Sequence, residues 1–218
     1  MFDQFGNRTE AGRELAQALM AYGGRNDAII LALPRGGVPV AHEVAKALYL
    51  PMDVWFVRKL GVPGQEELAM GAIALNGACH INEDITQRLN IPGQLMNQVV
   101  AKEKLELERR NRLYRHGHPA PDVKGKTVII IDDGLATGAT MRAAIESLRQ
   151  AQAGRIAVAV PVGAKDVCEA LAGVADEVVC LRMPEPFYGV GQWYEDFSQT
   201  SDEEVQALLA QHFPAPHS

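Results

Sequence analysis

Val128, Ile129, Ile130 and Ile131 are four consecutive β-branched residues, followed at once by Asp132 and Asp133. A run with no polar alternation has no face to give to water, so as a strand it must be covered on both sides, as in a parallel sheet. This points to an α/β fold. Gly134 to Thr140 is a loop of small residues, and Met141, Ala144, Ile145 and Leu148 then recur at the spacing of one helical face. The loop presents backbone N–H groups and two hydroxyls at a helix N-terminus, which suits a phosphate. The acids can accept hydrogen bonds from sugar hydroxyls or approach a metal. No Gly-Lys-Ser/Thr closes the loop, which excludes a Walker A motif. The competing reading is an ordinary strand-to-helix turn whose Asp residues cap the helix. Against it, two adjacent carboxylates repel each other unless a cation or a polyol meets them.

At 218 residues and 47% apolar content the chain can bury a core, and one domain over residues 1–218 is expected. A net charge of −6 argues against a nucleic-acid binder. Cys79, Cys168 and Cys180 show no C-x-x-C spacing and read as reduced core cysteines. There is no basic-then-apolar leader and no apolar run near 18 residues. A soluble, cytoplasmic protein without membrane contact is expected.

Further segments suggest a site. A buried strand at 28–33 runs into Pro34-Arg35-Gly36-Gly37, where the glycines admit close backbone approach and the arginine suits a polyphosphate. A tight turn with a solvent-facing arginine fits these residues equally well. A second strand at 52–57 leads to 58–67, whose glycines, proline and mixed charge predict a mobile loop. Residues 70–81 read as a hairpin turning at Asn76-Gly77, and 93–116 as a long helix with i,i+4 ion pairs such as Glu106–Arg110. Near the end, Phe187, Tyr188, Trp193, Tyr194 and Phe197 crowd one segment of a chain only 6% aromatic. Such a loop can stack on a flat ring or plug the sheet edge.

Residues 128–140 resemble the phosphoribosyl-pyrophosphate (PRPP) motif of the type I phosphoribosyltransferases. The resemblance implies their fold: a parallel sheet flanked by helices, here with a hairpin-plus-helix insert at about 76–122 and a small hood at about 183–200. It also implies roles. Asp132 and Asp133 would hold ribose and, indirectly through PRPP, Mg²⁺. Ala136, Thr137, Gly138, Ala139 and Thr140 would cradle the 5′-phosphate. Leu33-Pro34-Arg35-Gly36-Gly37 resembles the family's pyrophosphate loop, often built around a non-proline cis peptide, so Arg35, Gly36 and Gly37 would meet pyrophosphate. Arg58 and Lys59 resemble the start of the catalytic flexible loop, with Glu66 or Glu67 as a proton-transfer group. Phe187, Tyr188 and Val190 match the base-binding segment, with Asp196 a further metal-side candidate. The implied reaction transfers ribose 5-phosphate from PRPP to a nitrogenous, purine-like base in a homodimeric salvage enzyme. Ala136 stands where 6-oxopurine enzymes carry an acid, and the whole is most similar to uncharacterised members joining Leu-Pro-Arg-Gly-Gly to a Gly-Gln-Trp-Tyr tail. A regulatory protein that senses PRPP or a nucleotide is the alternative, and a hydrolase on the same scaffold a third.

Overall fold

The computed structural model describes residues 3–75, 77, 79–115, 118 and 120–212. Asn76 of the expected hairpin turn lies outside the described residues, as do the side chains of Glu66 and Glu67.

Five strands, β1 (Ala28–Ala32), β2 (Met52–Val54), β6 (Thr127–Ile131), β7 (Arg155–Val162) and β8 (Glu177–Arg182), form one sheet in the order β2-β1-β6-β7-β8. Each neighbouring pair is parallel. Successive side chains on a strand point to opposite faces, and both faces here are apolar. Ile30, Ile129, Ile131, Ala157 and Ala159 pack toward α1 (Arg8–Ala18), α2 (Gly37–Leu48) and α7 (Asp202–Leu209). Ile29, Leu31, Val128, Ile130 and Val158 pack toward α5 (Ala139–Gln150) and α6 (Lys165–Ala172). The run at 128–131 is thus buried on both sides, as its composition requires.

The strand order places a switch between β1 and β6. The helix after β1 leads to β2 on one side, and the helix after β6 leads to β7 on the other. The loops leaving β1 and β6 start side by side there and lead away in opposite directions, the position at which open α/β sheets form a ligand crevice.

Residues 58–67 correct the sequence expectation, because they form a β-hairpin. β3 (Val57–Val62) pairs antiparallel with β4 (Gln65–Ala74), and β5 (Cys79–Ile81) completes a second, three-stranded sheet. Leu60 and Val62 are buried, and Gly64 turns the chain at φ 81. The pairing runs from Val62 opposite Gln65 to Val57 opposite Ala74. The second core strand also stops at Val54, short of the expected Val57. Cys79 is exposed on β5, so only two of the three cysteines are even partly core residues.

After α3 (Glu83–Arg88), the helix α4 (Gly93–Arg115) crosses beside the hairpin. Its C-terminal end is fixed by a buried Arg115–Asp53 ion pair, in which Arg115 Nε donates to Asp53 Oδ1 at 3.1 Å. Tyr114 stacks on Phe56 with ring centroids 6.0 Å apart, and its hydroxyl donates to Asp202. The Ser201 hydroxyl caps α7 by accepting from the Glu204 N–H at 3.1 Å. No helix among the described residues is long and apolar enough to cross a membrane.

Candidate functional site

The two crevice loops touch. Leu33 N–H donates to the Ile131 carbonyl at 2.9 Å, which aligns the end of β1 with the end of β6. The Pro34–Arg35 peptide is cis. Gly36 then passes so close to the acidic pair that a Cβ there would lie 2.0 Å from Asp133 Oδ2. A Cβ on Gly37 would lie 2.6 Å from the Ile131 carbonyl oxygen. Gly36 has helical backbone angles, φ −59 and ψ −34, so glycine is needed there for proximity and not for an unusual φ.

Beyond the acids, Leu135 is buried and anchors the loop, donating to the Val162 carbonyl and accepting from the Ala164 N–H, both at 2.9 Å. Ala136, Thr137, Ala139 and Thr140 stand exposed around Gly138, whose φ of 69 turns the chain into α5. That helix carries no acid in its first turn, so its unpaired N–H groups present an uncompensated positive end.

The acids are strongly perturbed. Burial, reinforced by the charge of Asp133, holds the Asp132 carboxyl well above the usual range. Burial also raises Asp133, against the opposing pull of Arg8. Asp132 Oδ1 accepts the Asp133 N–H at 2.9 Å. The cation that two adjacent carboxylates require is therefore Arg8, from the first turn of α1. Its Nε donates to Asp133 Oδ2 at 2.8 Å, with both side chains largely buried. Its Nη1 donates to the Ser198 carbonyl at 2.7 Å, and its guanidinium lies 4.1 Å from the Phe197 ring centroid. No local signal marks Arg8, because its partner is 125 residues away.

On one side of the acids is a cavity of about 650 Å³, where Arg58 and Lys59 of β3 meet Pro34, Thr140 and the facing residues of α4. Arg58 Nε donates to Glu103 Oε2 of α4 at 2.6 Å. Arg35 points elsewhere: its Nη1 lies 3.6 Å from Asp202 Oδ1 at the start of α7.

On the other side is the aromatic segment. A Cβ on Gly134 would lie 2.5 Å from Val190 Cγ1, so Val190 sits directly against the acidic loop. Phe187 packs beside buried Val162 and Tyr194, while Tyr188 is 79% exposed. The Tyr194 hydroxyl donates to the Asp133 carbonyl at 2.6 Å. Tyr194 and Phe5 plug the sheet edge here, with Trp193 only partly buried. Asp196 Oδ1 accepts the Ser198 N–H at 2.9 Å. Glu67 lies near the start of β4, in the hairpin.

Among the described residues, no group of three or more His, Cys, Asp or Glu forms a metal cage. Asp132 and Asp133 offer hard oxygens that suit Mg²⁺ once ligand oxygens complete its shell.

Residues 2–182 match the family model described as "Phosphoribosyl transferase domain". Two Mycobacterium tuberculosis proteins, from strains CDC 1551 / Oshkosh and ATCC 25618 / H37Rv, each carry the name "Putative phosphoribosyl transferase" and are 47% identical over 205 residues. Those matches cover 94% of this chain and 46% of theirs, so the chain spans about half the length of the curated relatives it matches. The crystal structure of TT1426 from Thermus thermophilus has a TM-score of 0.85 at 39% identity, covering 95% of this chain and 98% of that one.

Proposed function

Because the chain belongs to the phosphoribosyl transferase domain family, we propose that it moves the ribose-5-phosphate group of PRPP to a nitrogenous, purine-like base and releases pyrophosphate. The observation that carries this reading is the contact of Gly36 and Gly37 with the Asp132–Asp133 pair at the switch point. The exposed 136–140 loop follows the acids directly in the chain, and its Thr140 also lines the cation-rich cavity.

The chemistry follows from those positions. N–H groups of 136–140 hold the 5′-phosphate at the positive end of α5. Asp133 engages Arg8 through Oδ2, and it meets the ribose hydroxyls together with Asp132. A base nitrogen attacks C1 as the bond to pyrophosphate breaks, and positive charge builds on the sugar ring. The buried carboxylates stabilise that charge. Gly36, Gly37, Arg58 and Lys59 receive the leaving pyrophosphate, joined by Arg35 once it turns from Asp202, and Glu67 is the proposed proton-transfer group. Asp132 and Asp133 would help hold a Mg²⁺ brought with the ligand, which would supply further charge neutralisation. Phe187, Tyr188 and Val190 bound the base on the far side of the acids, and closure there keeps water from the cation.

Calorimetric titration with PRPP, with and without Mg²⁺, tests this reading. Wild-type chain binds and Asp132→Asn/Asp133→Asn does not. Equal binding by the two proteins rejects the assignment of the acids.

A further inference from the structure

α4 belongs to the insert, which the sheet itself does not need, yet one of its faces lines the cavity beside the phosphate loop. Val99, Lys102, Glu103 and Arg110 all reach that cavity, at spacings that place them on one side of a helix. Opposite them stand Arg58 and Lys59. Among the described residues the cavity thus carries four cations beside Glu103, with Glu106 paired to Arg110, in a chain whose net charge is −6. Such a concentration of one sign in a concave site focuses field onto an anion. Arg110 also lines the adjoining pocket formed by Leu33, Pro34, Arg58 and Thr140, which sets it beside both crevice loops. Lys102 lies two turns away along the same helix, about 12 Å.

The helix is fixed in place. The buried Arg115–Asp53 pair, the Tyr114–Asp202 hydrogen bond and the Gln206 Nε2 bond to the Leu113 carbonyl at 2.8 Å all hold its C-terminal end. Arg110, within the last turns of α4, is steadied further by Glu106, whose Oε1 lies 2.8 Å from its Nε. Ordering Arg110 against an anion therefore costs little additional side-chain freedom.

We propose that α4 forms the far wall of the pyrophosphate site, with Arg110 and Lys102 contacting the phosphoanion directly. The proposal rests on the phosphoribosyl-transfer reading above and extends it by giving the insert a role in binding. Arg110 meets the anion near Thr140 and Pro34, and Lys102 meets its outer end.

The test titrates inorganic pyrophosphate and ribose 5-phosphate separately into the full chain and into Arg110→Ala, Arg110→Lys and Lys102→Ala, at low and moderate salt. Loss of a charged hydrogen bond predicts about tenfold weaker pyrophosphate binding for Arg110→Ala. Lys102→Ala loses less, and Arg110→Lys recovers part of the loss. Each alanine variant shows a shallower salt dependence, while ribose 5-phosphate affinity changes less than about twofold. A merely structural role for Arg110 would weaken both ligands together and lower the thermal midpoint. Wild-type affinity for pyrophosphate in all three variants overturns this proposal and leaves the phosphoribosyl reading intact. Failure of the wild-type chain to bind pyrophosphate or PRPP overturns both.

Discussion

Gly36→Ala isolates the contact on which the site is built. Its backbone angles are helical, so alanine fits the local conformation and any penalty must come from what the new methyl meets. That methyl would lie 2.0 Å from Asp133 Oδ2, where ordinary contact begins at 3.4 Å. The carboxylate must retreat by more than an ångström, and the 2.8 Å bond from Arg8 Nε to the same oxygen then breaks. A largely buried hydrogen bond between charged groups contributes about 1.5–3 kcal/mol. Replacing glycine recovers about 0.4–1 kcal/mol by restricting the unfolded chain. The net loss is about 1–2 kcal/mol, or roughly 2–8 °C in Tm for a chain of this size. Urea unfolding measures it, alone and in an Asp133→Ala background. With the carboxylate gone, Gly36→Ala should be neutral or slightly stabilising, a coupling of at least about 1 kcal/mol. Equal costs in the two backgrounds would refute the proposed contact. PRPP binding should fall in the single variant, since the displaced acid no longer faces the ribose.

Further outcomes are expected. Burial raises both Asp132 and Asp133, so the folded chain retains protons that the unfolded chain gives up. Wild-type stability should therefore fall as pH rises from about 4, where unfolded Asp ionises, through the raised folded values. Asp132→Asn/Asp133→Asn removes that fall, and parallel stability curves from pH 4 to 7 would contradict the assignment. Arg35→Ala should weaken pyrophosphate far more than ribose 5-phosphate by calorimetry, and equal losses would make Arg35 a partner of Asp202 alone. Arg115→Met strands a buried Asp53, whose carboxyl burial already raises. The cost is about 3–5 kcal/mol near neutral pH, smaller in acid where Asp53 takes a proton, and an equal cost at pH 4 and 7 would show that Asp53 stays solvated.

What the sequence disclosed is what neighbouring residues decide together. The apolar run at 128–131 admits only burial on both faces, and the acids and small residues after it mark where the strand meets the crevice. The Pro-Arg-Gly-Gly turn could be recognised because its glycines serve a close backbone approach. Two features depend on partners that a segment read by itself does not show. Residues 58–62 looked like a loop, since only Leu60 and Val62 alternate inward and the pairing that makes them a strand comes from the next segment, β4. Arg8 carries no local signal, and only the fold brings it to Asp133. The demand for a cation beside two acids was visible in the sequence, whereas its source was not. α4 likewise appeared as a solvated, ion-paired helix until the fold set Lys102 and Arg110 on a cavity.

The most direct measurement follows pyrophosphate release from PRPP and Mg²⁺ by the purified chain across a panel of nitrogenous bases. Release that requires one base, and that disappears in Asp132→Asn/Asp133→Asn, is the predicted result. PRPP binding without release for any base would contradict catalysis and leave a PRPP-sensing protein, and release that ignores the base would indicate hydrolysis.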